Sequence, residues 1–397
     1  MKIEKINKIN FQDFVAFIFL LLAYIPSLFL HLRKPNIWLV CERRYHAEDN
    51  GWIFYHWLRE NHPEQEAFFI LDKKASNFNT NNSHFIHWGS FRHYIYYLAS
   101  KTLIKATFDT PYPESRMCSI FDDVFHIHRK KAYIRHGISK DGCEHHNYKY
   151  LGADLFLCGA KPEYDYFMQN AGYPEGYLQY TGFARFDDLI NNNQDGRYIL
   201  IAPTWRRYLC ESTHNEENNK CFLQSQYYKT YSKLLENDDL LNFAKTNNLK
   251  IKFCLHAEFR RFQNFFKINS PILEIVNNDE SIHELLLGAS ILITDYSSMF
   301  FDIAYMYKPI VYLHFDYDEF RKRHLSEGYF NYARDGFGDI VSNTSDLIEK
   351  IKGCYNDGKF IMPEKFKKRV DIFFTRRDTN NCERIFQAIK VMESRKH

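Results

Sequence analysis

The chain has 397 residues, enough for two α/β domains with complete cores, and a formal net charge of only +3. That balance lacks the basic excess of a general nucleic-acid binder. Nine cysteines, an odd number with no C-x-x-C pair, point to free thiols in a reducing compartment rather than a disulfide framework.

The first element is apolar. Phe14–Leu32, FVAFIFLLLAYIPSLFLHL, carries only Ser27 and His31 as clearly polar residues. As a helix it would span about 28 Å, close to the hydrocarbon thickness of a bilayer. Lys2, Lys5, Lys8, Arg33 and Lys34 flank it, and no small-residue cleavage site follows. A spanning anchor, a helix lying in the interface and a buried core helix all fit; Pro26 excludes none of them. Basic residues on both flanks leave the orientation open, while the cysteines favour a cytoplasmic location for the rest.

From Asn36 the pattern becomes α/β. Short apolar runs predict strands at Asn36–Cys41, Ala67–Leu71, His84–His87, Thr102–Ala106, Lys131–Ile134, Leu155–Cys158 and Gln179–Thr181, with helices near Trp52–Glu60 and Phe91–Ala99. The polar run Asn191–Gly196 reads as a linker, dividing the chain into a 1–34 apolar segment, a 35–190 unit and a 191–397 unit. In the second unit strands are expected at Tyr198–Ile201, Lys250–Leu255, Ile291–Thr294 and Ile310–Leu313. Helices are expected near Leu234–Thr246, at Ser281–Leu287 and from about Met299, and Glu211–Lys220 reads as a mobile surface loop. Strands alternating with helices in two halves predict two doubly wound domains, whose ligands bind beyond the carboxyl ends of the strands.

Polar motifs fall at those ends. In KAYIRHGISKDG a strand runs into Arg135, His136 and Gly137, with Lys140 three residues on; a histidine there fits a general base or a loop histidine bonded to backbone. In ILIAPTWRR, Thr204 and Arg206 follow a strand, and arginine suits bidentate phosphate binding. His256 follows the strand of IKFCLHAEF. In ILITDYSSMFFD, Thr294, Ser297 and Ser298 precede a helix, an arrangement that fits an anion site or a plain helix cap, and Asp302 either meets a ligand or braces the turn. Asp316-x-Asp318 resembles a metal-binding D-x-D. His126, His128, His136, Cys143, His145 and His146 form a histidine-rich stretch whose spacing matches no standard zinc site. Lys365–Arg369 reads as a solvated helix face or an aid to anionic lipid binding.

Taken together, H-G-x-x-K (His136, Gly137, Lys140), A-P-T-W-R (Ala202–Arg206), Leu255-His256, T-D-Y-S-S-x-x-x-D (Thr294–Asp302) and the loop E-R-x-x-x-A-x-D-N-G (Glu42–Gly51) resemble the CDP-glycerol glycerophosphotransferase family, the teichoic-acid and capsule polyol-phosphate transferases. Departures are Arg135, where a bulky apolar residue is common, and Gly336–Asp339, where a Gly-Pro is frequent. The resemblance implies a GT-B fold, two Rossmann-like domains facing a cleft. It implies a CDP-glycerol or CDP-ribitol donor held by the C-terminal half, with Lys140, Thr204, Arg206, Thr294, Ser297, Ser298 and Asp302 on the donor phosphates. His136 would be the base, and His256 would hold the pyrophosphate. Glu42 and Asn50 would lie on the acceptor side. The acceptor would be a glycan or polyprenyl-linked precursor at a membrane surface, CMP would leave, and no metal cofactor is expected. A nucleotide-sugar glycosyltransferase of the same fold and a zinc-dependent hydrolase built on the histidine cluster are the alternatives.

Overall fold

The computed structural model describes residues 10–395 except 77, 79, 80, 143, 212, 213, 278 and 279, so Lys2, Lys5, Lys8 and Cys143 lie outside the described residues. Seven parallel strands form the first sheet: β1 (Trp38–Cys41), β2 (Ala67–Leu71), β3 (Phe85–His87), β4 (Thr102–Lys105), β5 (Lys130–Tyr133), β6 (Leu155–Cys158) and β7 (Leu178–Tyr180), in the order β3-β2-β1-β4-β5-β6-β7. Six form the second: β8 (Tyr198–Ile201), β9 (Lys250–Phe253), β10 (Leu273–Ile275), β11 (Ala289–Thr294), β12 (Ile310–Leu313) and β13 (Gly338–Val341), in the order β10-β9-β8-β11-β12-β13. Runs such as WLVC, AFFIL, LFLC and IVYL are apolar on both faces because helices cover both sides of a parallel sheet. Each sheet reverses its winding between its first and fourth strands, the switch point where α/β sheets bind ligands. The architecture is the expected GT-B arrangement of two Rossmann-like domains, with an added N-terminal helix.

Several local expectations change. Helix Asn215–Gln224 occupies most of the stretch expected to be a mobile loop, anchored by buried Asn218 and Phe222. The single helix expected near Leu234–Thr246 is two, Gln226–Leu235 and Asp238–Thr246, because Asn237 accepts the Leu240 N–H and caps the second. Strands β10 and β13 were not anticipated. Asp318 of the D-x-D pattern lies in the first turn of helix Tyr317–Arg323. The helix after the Thr294–Ser298 turn starts at Phe300 and has six residues.

The N-terminal helix, Phe11–Arg33, opens with a capping box between Asn10 and Asp13. It packs on helices Phe91–Ala99 and Ser115–Val124 through a stripe of small or compact side chains, Ala16, Leu20, Ala23 and Ser27. Both ends are tied down: Asp13 pairs with Arg116 at 2.9 Å, and His31 Nδ1 bonds the Ala99 carbonyl at 3.2 Å. The opposite face is apolar and exposed, from Phe11 (80%) through Phe14, Leu21, Ile25 and Phe29 to Leu32 (79%). At the other end of the chain, helix Asn381–Ser394 returns to the first sheet. Ile385, Phe386 and Ile389 share a core with Trp38, Val40, Ile104 and Leu155, and Glu393 accepts the Trp38 indole N–H at 2.8 Å.

Candidate active site

His136 stands just past β5, on a loop whose shape is fixed from beneath. Arg135 adopts φ +62, unusual for a residue with a Cβ, and its side chain is buried. The guanidinium pairs with Glu163 at 2.7 Å and lies 4.6 Å from the Phe156 ring, while Asn50 Nδ2 donates to the Arg135 carbonyl at 2.8 Å. The departure from an apolar residue here is therefore a buried ion pair. It lets the chain turn sharply and present His136 at the cleft, half-buried and in ring contact with exposed Phe108 at 5.9 Å. Burial lowers the His136 pKa to about 4; Asp49 raises it, and Arg135, Arg185 and Arg43 add to the lowering. Its Nδ1 is shut from solvent and lacks a hydrogen-bond partner among the described residues.

The second half contributes His256, beyond β9. The imidazole is exposed and stacks on Trp205 at 5.9 Å, and its Nδ1 accepts the Glu258 N–H at 3.3 Å. That bond places the ring proton on Nε2, making the free edge a hydrogen-bond donor. Ser297 is half-buried, its Oγ accepting the Met299 N–H at 3.4 Å, and Ser298 is exposed beside it. Thr204, past β8, donates its backbone N–H to Asp295 at 2.8 Å, and its hydroxyl has no partner among the described residues.

Loops at the carboxyl ends of the two sheets meet. Arg321 bonds Asp141 at 2.6 Å, the Ile282 N–H reaches Glu48 at 3.4 Å, and Arg185 joins Asp49 and the His136 carbonyl to Asp302. His136, Thr204, His256, Ser297 and Ser298 keep some exposure at these ends.

Other expected ligands turn out to be braces. Arg206 is 0% exposed, with Asp295, Asp316 and the Thr204 carbonyl taking its N–H groups, so it presents none to a phosphate. Thr294 donates its hydroxyl to the Ala202 carbonyl at 2.7 Å and is buried. Lys140 is buried against Asp141. Asp302 holds Arg185. Glu42, expected on the acceptor side, is buried and accepts the N–H groups of Glu48, Asp49 and Trp52; burial, reinforced by Asp49, lifts its pKa to about 7. Asn50 is buried as well, bonded to the Arg135 carbonyl and the Arg185 N–H.

Three residues were missed. Asp295 is the buried hub of the Thr294–Ser298 turn, Arg185 ties the halves together, and exposed Arg43 acts electrostatically on both His136 and His256. Arg43 lies inside the E-R-x-x-x-A-x-D-N-G loop, so its motif was visible though its place in the cleft was not. Asp316 gives both oxygens to Arg206, leaving the D-x-D pattern without a matched pair. No cluster of three or more His, Cys, Asp or Glu residues suited to a metal occurs among the described residues.

A family model described as CDP-glycerol:poly(glycerophosphate) glycerophosphotransferase matches residues 22–391. The minor teichoic acid biosynthesis protein GgaB of Bacillus subtilis is 30% identical over 374 residues, covering 92% of this chain and 40% of that protein. A teichoic acid poly(glycerol phosphate) polymerase of the same organism is 23% identical, covering 86% and 46%. The chain thus spans less than half the length of these curated relatives. The solved wall teichoic acid polymerase TagF superposes with a TM-score of 0.65 at 16% identity, covering 97% of this chain and 99% of that one; a variant of it was also solved after a soak with CDPG.

Proposed function

The chain belongs to the CDP-glycerol:poly(glycerophosphate) glycerophosphotransferase family, and on that premise we propose that it transfers glycerol phosphate from CDP-glycerol, or a related CDP-polyol such as CDP-ribitol, to a hydroxyl of a glycan or polyprenyl-linked precursor in teichoic acid or capsule biosynthesis. The supporting observation is the meeting of the two carboxyl edges, with neutral His136 on one and the His256 N–H and Ser297-Ser298 hydroxyls on the other.

The acceptor oxygen attacks the β-phosphorus as its proton passes to the His136 imidazole. A new oxygen–phosphorus bond forms, the bond to CMP breaks, and CMP departs with the bridging oxygen. An imidazole at pKa about 4 is by itself a weak base, but the diphosphate brings negative charge beside it and raises that pKa on binding. Phosphoryl transfer needs mainly positioning and neutralisation of oxygen charge, which His256 Nε2–H, the Thr204, Ser297 and Ser298 hydroxyls and Arg43 supply without a metal. The test is release of CMP from CDP-glycerol and CDP-ribitol, and of UDP from UDP-sugars, each with and without EDTA. CMP release that survives EDTA is expected. UDP release alone would transfer the chain to the glycosyltransferase reading, and a loss in EDTA restored by Mg²⁺ would defeat metal independence.

For the N-terminal helix the proposal is a helix in the plane of a membrane interface. Its two tethered ends and buried Ala16–Ser27 stripe hold it along the domain, while its exposed face offers acyl chains a continuous apolar strip, with exposed Arg33 for anionic headgroups. Phe14→Glu with Leu21→Glu and Phe29→Glu should leave turnover of a soluble acceptor intact and abolish sedimentation with anionic vesicles. Retained sedimentation would overturn the proposal.

A further inference from the structure

The active-site side chains described above each belong to one half of the molecule, and Arg185 touches both. It stands at the start of helix Ala184–Asn191, near the end of the first half, and is buried. Its Nε and Nη2 hold the two Asp302 oxygens at 2.7 and 3.1 Å. Its Nη1 holds Asp49 at 2.8 Å and also the carbonyl of His136, and its backbone N–H donates to Asn50 at 2.9 Å. The His136 loop passes directly over the guanidinium: a Cβ at Gly137 would stand 3.5 Å from Nη2. Asp302 lies in the first turn of the helix that follows Ser297-Ser298.

We propose that Arg185 is a positioning residue for the transfer reaction: one planar guanidinium fixes the base-bearing loop of the first half against the donor-side turn of the second. The inference rests on the functional reading above. Bidentate pairing with Asp302 fixes an angle as well as a distance, which a lysine ammonium cannot do. The separation between His136 and the donor phosphorus is therefore set through Arg185, and misplacing reacting groups by about 1 Å can cost about 10²-fold in rate.

Arg185→Lys keeps the charge and loses the three-way geometry. It should lower kcat for CMP release about 100-fold while calorimetric affinity for CDP-glycerol stays within about three-fold. Arg185→Gln should do the same and also raise the pKa of the acid limb. The charges facing His136 are Asp49, Arg135, Arg185 and Arg43, and removing one cation favours the imidazolium. Asp302→Asn, which weakens the arm to the second half, should reproduce the kcat loss with a smaller shift of that limb. A folded Arg185→Lys with kcat within three-fold of wild type overturns the proposal, as does a donor affinity that falls in step with kcat. Should Arg185→Gln fail to fold, Arg185→Lys and Asp302→Asn carry the test. A wild-type protein inert toward every CDP-polyol overturns the functional reading instead. Histidine NMR then decides for Arg185: a His136 resonance unmoved by Asp302→Asn overturns the coupling, and a displaced one supports it.

Discussion

Replacing Arg206 by methionine separates a structural arginine from a phosphate ligand. The guanidinium donates to Asp316 at 2.7 and 3.0 Å, to Asp295 at 2.8 Å and to the Thr204 carbonyl at 2.6 Å, and the Tyr296 and Phe320 rings each lie 5.0 Å from its central carbon. Both carboxylates are almost fully buried, so the substitution leaves two uncompensated charges and a carbonyl without its donor. Breaking one partner out of a buried ion pair costs about 3–5 kcal/mol. For a unit of this size each kcal/mol lowers Tm by about 2–4 °C, so a drop of roughly 10 °C is expected. Adding Asp316→Leu should recover part of it, because one of the stranded charges goes. Differential scanning calorimetry of the single and double variants measures both shifts. A methionine variant that melts within a degree or two of wild type yet no longer binds CDP-glycerol would show that the guanidinium serves the ligand, and the buried-brace account would fall.

His136→Gln should lower CMP release about 10²–10⁴-fold with donor affinity within a few-fold; near-normal turnover would remove it from the mechanism. Ser297→Ala with Ser298→Ala should raise donor KM and lower kcat together, since the diphosphate is anionic in ground and transition states alike; unchanged calorimetric affinity would reduce the turn to a cap. Acid should destabilise the fold early. Burial holds His93 at about 3, His136, His314 and His324 at about 4 and His146 lower still, so as pH falls below about 6.5 the unfolded chain takes up protons that the native state refuses. Stability is therefore lost between about pH 6.5 and 4, at a slope approaching about 7 kcal/mol per pH unit for five protons, which urea titration at stepped pH measures. A flat profile across that window would contradict the burial of these rings.

Buried parallel strands were legible because they need no alternation: Ala67–Leu71, Leu155–Cys158, Tyr198–Ile201 and Ile310–Leu313 fall where their apolar runs put them. The edge strands Leu273–Ile275 and Gly338–Val341 were not, being short, partly exposed and interrupted by Glu274, Gly338 and Asp339. The places of four polar residues at the strand ends were legible as well. His136, His256, Ser297 and Ser298 are short polar motifs directly after apolar strands, and strand ends are where a sheet meets solvent. Arg206 misled because sequence gives an arginine's type but not its partners, and these come from 89 and 110 residues away. Arg185 escaped for the same reason: Asp302 lies 117 residues on, and a charge near the start of a short amphipathic helix looks like surface.

The return of the last helix to the first sheet has a consequence in time. Trp38 and Glu393 are 355 residues apart, and synthesis at 5–20 residues per second separates their emergence by roughly 20–70 s. Throughout that interval the face of the first sheet around Trp38, Val40, Ile104 and Leu155 is covered only in part, by Phe54, Tyr55 and Leu58 of helix Asn50–Asn61, and lacks Ile385, Phe386 and Ile389. Docking the Asn381–Ser394 helix must also close a loop longer than the whole second half, so the first half made is the last to be finished. A chain stopped at residue 380 should therefore be cleaved by protease in the first half while the second resists; equal resistance in both would mean that the first sheet closes without its final helix.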